Sequence, residues 1–113
     1  MGTADGGEAT RYLPRPPRYP IAAALEYRAA SEAEWRRGTT VNISRSGILF
    51  RGEENLELKT ILEMRILLSA DMLGGEGAIV ECWGPVIRQA PPDSADPRPG
   101  LAASFMRCRL RHD

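Results

Sequence analysis

The sequence is poor in the residues that catalysis and metal binding usually require. It has one histidine, His112, and two cysteines, Cys82 and Cys108. Two cysteines this far apart are too few for a disulfide framework or a zinc site, so we expect both to be reduced and buried. The sequence contains no nucleophile elbow, phosphate loop or metal-spaced Asp/Glu/His cluster. It therefore predicts a binding protein rather than an enzyme, with no catalytic residue, metal or cofactor.

Long apolar runs, aromatic residues and an excess of one charge are also missing. No segment approaches the ~20 apolar residues of a membrane span, and the opening MGTADGGEAT lacks the basic and apolar regions of a signal peptide. We therefore expect a cytoplasmic protein without membrane insertion. Fifteen Lys and Arg balance fifteen Asp and Glu, and 6% of the residues are aromatic. Both features argue against DNA or RNA as a partner, because nucleic-acid sites need a basic excess and stacking platforms.

The neutral total hides a separation of charge along the chain. Residues 11–51 hold eight Arg against three Glu, whereas residues 52–82 carry an acidic excess. Fourteen of the fifteen cations are Arg, and Lys59 is the single Lys. Because Arg forms forked contacts with phosphate and stacks on bases, the basic front half predicts a local site for a small anion.

The length of 113 residues and the distribution of Pro and Gly predict one domain with an N-terminal arm. Residues 1–10 are small, polar and Gly-rich, which is typical of a disordered tail. Residues 11–20, RYLPRPPRYP, hold four Pro and three Arg. We expect them to form a flexible, extended arm that presents its Arg side chains. Residues 21–113 should then form the folded domain.

Short segments with strand propensity alternate with turns throughout residues 21–113. The strand candidates are TTVNI, GILFR, TILEMRILL, AIVECWGPVIRQA and LAASFMRCRL, while IAAALEYR is ambiguous between helix and strand. SRSG and DMLGGEG predict turns, and Gly84-Pro85 predicts a bulge or a sheet edge. Six or seven short strands separated by turns predict an all-β fold, a small antiparallel β-barrel.

The strongest local signal is the segment Asn42-Ile43-Ser44-Arg45-Ser46-Gly47. It follows a strand, and the Asn42 amide and the Ser44 hydroxyl can hydrogen-bond the edge of a base. Gly47 permits a positive φ and a close approach of the backbone. The alternative is a plain hairpin whose Asn and Ser side chains satisfy their own backbone.

With the arginine-rich segment ahead of it, this turn resembles the signature of the PilZ domain, an RxxxR segment followed by (D/N)xSxxG. The similarity extends over about residues 11–111, since RYPIAAALEYR resembles the first strand of the family and TILEMRILL resembles its middle strand. AIVECWGPVIRQA and GLAASFMRCRL resemble its paired closing strands. The resemblance implies a six-stranded β-barrel and a bacterial receptor for the second messenger cyclic di-GMP. In that family the arginine segment wraps the ligand, and the turn recognises a guanine.

The resemblance also implies a set of residues that bind cyclic di-GMP, namely Arg11, Arg15, Arg18, Asn42, Ser44 and Gly47. A protein effector would receive the signal. Two arginine registers are open, because Arg11 and Arg15 have the RxxxR spacing, whereas Arg18 precedes the first strand as the second family arginine does. The second register puts Pro14 at the partner position. This irregular segment, with Asn42 in place of the commoner Asp, leaves a second hypothesis: a degenerate PilZ fold that acts as a protein-interaction adaptor without nucleotide. A small barrel for single-stranded nucleic acid is a third, minor interpretation.

The tryptophans and the last arginines favour structural roles. Trp35 and Trp83 are expected to pack against the barrel or line its rim, since a small barrel with few aromatic residues needs them there. The alternate arginines of the last strand share one face, and they are Arg107, Arg109 and Arg111. This pattern predicts an exposed edge kept soluble by charge, or else a patch for a partner.

Overall fold

The structure is a computed structural model, and it describes residues 17–112. In this part the chain forms seven strands and one short helix. In chain order they are β1 (Ala24–Ala29), β2 (Arg36–Ile43), β3 (Gly47–Gly52), β4 (Ile61–Leu68), α1 (Ala70–Leu73), β5 (Ala78–Ala90), β6 (Gly100–Ser104) and β7 (Arg107–His112). The end of α1 overlaps the start of the turn predicted over DMLGGEG. The tail predicted over residues 1–10 lies outside the described residues.

Six strands close into an antiparallel barrel. Their order is β4-β1-β2-β3-β6-β5, and pairing between β5 and β4 completes the ring. The prediction of a small six-stranded β-barrel is therefore confirmed. β7 is an additional strand, and among residues 17–112 its one partner is β5. The sequence predicted β6 and β7 as one strand, but the chain bends between them, where the amide of Met106 donates to the carbonyl of Trp83 at 2.7 Å.

Along one of its edges, β5 pairs with two different strands. Its residues 78–83 pair with β7, and its residues 86–90 pair with β6. The change of neighbour happens at Gly84, where an added Cβ atom would overlap the carbonyl oxygen of Ser104. The strand runs through Gly84-Pro85 without a break, and the register shift lies between Val86 and Arg88. A residue without a side chain is thus required at the point where the pairing partner of β5 changes from β7 to β6.

Alternate residues of the strands fill the barrel. The largest fully buried side chains are Leu25, Tyr27, Ile48, Phe50, Leu62, Met64, Ile66, Cys82, Val86 and Leu101. The ambiguous segment IAAALEYR supplies most of β1, in which Leu25, Tyr27 and Ala29 face the core in strand alternation. The hydroxyl of Tyr27 donates to the carbonyl of Glu54 at 2.6 Å, and burial raises the pKa of this hydroxyl. This hydrogen bond therefore connects β1 to the loop after β3.

The two cysteines form a disulfide, so the prediction that both are reduced is wrong. Cys82 of β5 and Cys108 of β7 stand directly opposite each other, with their Cα atoms 4.1 Å apart. Cys82 is fully buried, but Cys108 is exposed. Antiparallel pairing joins residues that are 26 positions apart in sequence. The cysteines consequently give no support to a cytoplasmic location, because disulfides are rare in that compartment.

Candidate ligand site at the arm and the turn

A two-bond backbone bridge holds the end of the arm against the barrel. The amide of Tyr19 donates to the carbonyl of Ile43 at 2.8 Å, and the amide of Ile43 donates to the carbonyl of Tyr19 at 3.0 Å. The buried hydroxyl of Thr40 accepts from the amide of Ala23 at 2.8 Å and donates to the carbonyl of Ile21. The arm therefore reaches the barrel at a defined place, the end of β2.

A β-bulge in β2 decides which way Asn42 faces. The pairing of β2 with β3 shifts between Thr40 and Asn42, which leaves Val41 as the extra residue. Regular alternation would place Thr40 and Asn42 on the same inner face. With the extra residue, Ile43 packs against the core instead, and Asn42 is partly exposed. The bulge thus turns the amide of Asn42 to the outside of the barrel.

Arg18 and Asn42 are brought together at this place. The Nη1 atom of Arg18 donates to the Oδ1 atom of Asn42 at 2.6 Å, in an exposed contact between residues 24 positions apart. Such a charge-assisted hydrogen bond is stronger than one between neutral groups. Arg18 therefore occupies the one acceptor oxygen of the Asn42 side chain.

Ser44 and Gly47 shape the turn from inside. Ser44 is buried, its amide donates to the carbonyl of Gly47 at 2.9 Å, and its hydroxyl accepts from the amide of Ser46 at 3.2 Å. Gly47 does not adopt the positive φ that glycine permits. The predicted close approach is confirmed, because a Cβ atom on Gly47 would lie 2.5 Å from the carbonyl oxygen of Ala103 in β6. The plain-hairpin interpretation thus describes Ser44, whose hydroxyl is bonded within the turn.

A cleft of about 310 Å³ opens beside the turn. Its lining is mostly apolar, with Ile43 and Phe105 among its residues, and Ser44 and Arg45 add polar groups. The sequence reasoning missed Arg45, which is exposed inside the motif, and Tyr19, which is 57% exposed next to Arg18. The sequence signal for both was their position next to predicted site residues, since Arg45 follows Ser44 and Tyr19 follows Arg18. The site therefore combines two exposed arginines, one exposed amide and an apolar cleft.

The remaining predicted site residues, Arg11 and Arg15, lie outside the described residues. The two tryptophans are partly buried at other places. The guanidinium group of Arg65 lies 3.9 Å from the ring centre of Trp35, and that of Arg107 lies 4.4 Å from the ring centre of Trp83. These contacts agree with the structural roles predicted for both rings.

Within residues 17–112 there is no group of three or more His, Cys, Asp or Glu side chains that could hold a metal ion. In the same range, no helix is both long and apolar enough to cross a membrane.

Comparison with known proteins gives a family and a fold. The family model of the PilZ domain matches residues 11–105. No curated protein matches the chain. The structure is similar to that of the Bacillus subtilis inhibitor of motility MotI/DgrA, with a TM-score of 0.69 and 15% identity. The similarity covers 86% of this chain and 44% of MotI/DgrA, so the chain spans less than half the length of that protein. At this identity the likeness shows the fold alone.

Proposed function

Because the chain belongs to the PilZ domain family, we propose that it binds cyclic di-GMP as a receptor and relays the signal to a protein effector. The observation that carries this proposal is the contact of 2.6 Å between Arg18 and Asn42. It sets an exposed cation from the arm beside an exposed amide of the barrel. A nucleotide that carries phosphate and guanine needs both kinds of group.

Each group of the site has a chemical counterpart in the ligand. A guanidinium fork such as that of Arg18 matches a phosphate or the O6 and N7 acceptors of guanine. The Oδ1 atom of Asn42 can accept from an N–H group on the other edge of guanine. Arg45 is exposed in the same turn and adds a second cation. Ser44 and Gly47 take part by holding the turn that carries Arg45.

Arg11 and Arg15 complete the site in this proposal. An extended chain spans about 3.3 Å per residue, so Arg15 can reach ~13 Å from the bridge at Tyr19, and Arg11 can reach ~26 Å. Each charge-assisted hydrogen bond contributes about 1.5–3 kcal/mol. Three or four such bonds support micromolar affinity after the cost of ordering the arm.

A calorimetric titration of the full chain with cyclic di-GMP tests the proposal. We expect saturable binding with a Kd on the order of micromolar. GTP and cyclic GMP are the controls, and we expect both to bind more weakly because each has one guanine. The absence of heat with cyclic di-GMP at concentrations well above this Kd would contradict the receptor function.

One observation favours a second candidate, a PilZ-fold adaptor that recognises proteins without nucleotide. Residue 42 is Asn, with a single acceptor oxygen, and Arg18 already donates to that oxygen. A carboxylate would offer two acceptor oxygens to the paired N–H groups of guanine. A substitution at residue 42 can therefore distinguish the receptor from the adaptor by experiment.

We expect Asn42→Asp to tighten cyclic di-GMP binding about tenfold if the chain is a receptor, because one additional charge-assisted hydrogen bond is worth about 1.5 kcal/mol or more. The affinity is measured by the same titration. Asn55→Asp, the same change at an exposed loop residue, is the matched control and should leave the affinity unchanged. If neither wild type nor Asn42→Asp binds the nucleotide, the adaptor interpretation stands.

A further inference from the structure

β7 is an edge strand whose outer edge has no partner strand in the part of the chain that the structure describes. It pairs with β5 along one edge and stands at the end of the sheet order. Residues 106–111 are all exposed, whereas every strand of the barrel buries some of its residues. Such an edge offers a row of N–H and C=O groups to an added strand.

The register of β5 and β7 shows which backbone groups face outward. The Cα atoms of Cys82 and Cys108 are 4.1 Å apart, which is the short spacing of a pair without mutual hydrogen bonds. The N–H and C=O groups of Cys108 therefore point away from β5, and so do those of Leu110 two residues later. The disulfide links β7 to β5 covalently, so a partner need not order this strand when it binds.

A line of alternating charges crosses the outer surface of the sheet and ends at β7. Directly opposed residues of β2, β1, β4, β5 and β7 form it, in the order Arg37, Glu26, Arg65, Glu81 and Arg109. Arg65 lies 3.6 Å from Glu26, and Arg109 donates to Glu81 at 2.7 Å. A strand added to β7 would place a residue beside Arg109, where an acidic side chain continues the alternation.

The arginines of β7 carry more positive charge than their neighbours balance. Arg109 and Arg111 share the carboxylate of Glu81, at 2.7 Å and 3.4 Å. The hydrogen bond from Arg109 is the main cause of the lowered pKa of Glu81. Arg107 lies over the ring of Trp83. The buried carboxylate of Glu81 thus pairs with two of the three exposed guanidinium groups. The positive charge that remains favours an acidic partner.

The other face of β7 carries Cys108 and Leu110 between the arginine positions. Leu110 is 59% exposed and stands opposite Val80 of β5, and Cys108 lines the cleft beside the turn. A strand that continues the sheet would have one face next to the arginines and the other next to Leu110. Alternating acidic and apolar residues satisfy both faces.

We infer that the outer edge of β7 binds an extended acidic segment of a partner protein, which joins the sheet as a further strand. Its acidic side chains lie beside Arg107, Arg109 and Arg111. A second copy of the chain is a poorer occupant, because antiparallel pairing of two β7 strands sets arginine against arginine, and like charges directly opposed destabilise a sheet. The inference concerns protein recognition and holds with or without nucleotide at the arm.

The probe is a short synthetic peptide of alternating Val and Glu, titrated into the isotope-labelled chain without nucleotide and followed by NMR. We expect shift changes along residues 106–112 and slower hydrogen exchange at the amides of Cys108 and Leu110. A peptide of the same composition with Val and Glu in separate blocks tests for charge alone. A peptide of alternating Val and Lys tests for strand pairing alone. Neither control should bind detectably.

Arg107→Glu should weaken binding of the Val-Glu peptide about tenfold, the effect of losing roughly one charge-assisted contact. The same variant should bind the Val-Lys peptide more tightly than wild type does. Arg107 is preferred to Arg109 for this test because Arg109 pairs with the buried carboxylate of Glu81. Arg88→Glu, the same change at an exposed residue in the other half of β5, is the matched control and should bind like wild type.

Three results would overturn the inference. One is equal binding of the block peptide, which would show attraction of charge without strand addition. Another is a set of shift changes away from β7. The third is protection of the Cys108 and Leu110 amides without peptide, together with a dimer in light scattering, which would identify a second copy as the occupant.

Discussion

Arg18→Ala is expected to weaken cyclic di-GMP binding by about a hundredfold. A guanidinium fork makes two charge-assisted hydrogen bonds with phosphate or guanine, each worth about 1.5–3 kcal/mol. The change also frees the Oδ1 atom of Asn42, which now accepts from Arg18 at 2.6 Å. This gain is small, because water takes the place of the guanidinium group on an exposed oxygen. The measurement is calorimetric titration of the variant beside wild type.

Arg37→Ala is the matched control for Arg18→Ala. Arg37 is also exposed, but it stands near the start of β2, whereas Asn42 is near its end. Five residues along a strand correspond to roughly 16 Å. We expect Arg37→Ala to bind like wild type. Equal losses in the two variants would show that the overall charge of the chain, rather than the place beside Asn42, governs affinity.

Gly84→Ala is expected to lower the free energy of unfolding by about 3 kcal/mol, at the upper end of the usual cost of overpacking. The added Cβ atom would overlap the carbonyl oxygen of Ser104 and lie 2.7 Å from its carbonyl carbon. It would also lie 3.2 Å from the amide nitrogen of Met106. All three atoms belong to backbone, so no side-chain rotation relieves the overlap. To accommodate the Cβ atom, β5 has to move away from the backbone of Ser104 and Met106 at the point where its partner changes from β7 to β6.

Urea or thermal unfolding measures this effect, with a decrease in Tm of roughly 10–20 °C expected for a domain of this size. Gly75→Ala is the control, because a Cβ atom on Gly75 meets nothing within 4 Å and its φ is not positive. That variant should change the unfolding free energy by no more than about 0.5 kcal/mol. Similar stability of the two variants would contradict the role assigned to Gly84.

Much of the barrel is predictable because strand and turn preferences depend on neighbours in sequence. GILFR is rich in strand-forming residues, TILEMRILL alternates apolar and polar residues in places, and SRSG carries turn chemistry between two strands. The structure contains all three as predicted. The segment IAAALEYR stayed ambiguous, because its composition favours helix while its burial in the barrel favours strand. Packing of Leu25 and Tyr27 in the core decided it.

The candidate site was less predictable, because its geometry depends on register. One extra residue in β2, Val41, exchanges the faces of Asn42 and Ile43, and nothing in the local sequence marks that bulge. Arg18 was named from a motif, but its contact with Asn42 requires the bridge between Tyr19 and Ile43. The sequence allowed either a positive φ or a close approach of the backbone at Gly47, and packing against β6 decided for the close approach.

By itself, the sequence determined the family, the all-β class, the position of the turn and the concentration of arginine ahead of the first strand. Only the tertiary structure decided which distant residues meet. It joined Cys82 to Cys108, brought Arg18 to Asn42 and set Arg109 at the free end of a line of alternating charges. The physical reason is strand pairing, since a shift of one residue in register sends every side chain of a strand to the other face. The composition and the local pattern of a chain do not contain that register.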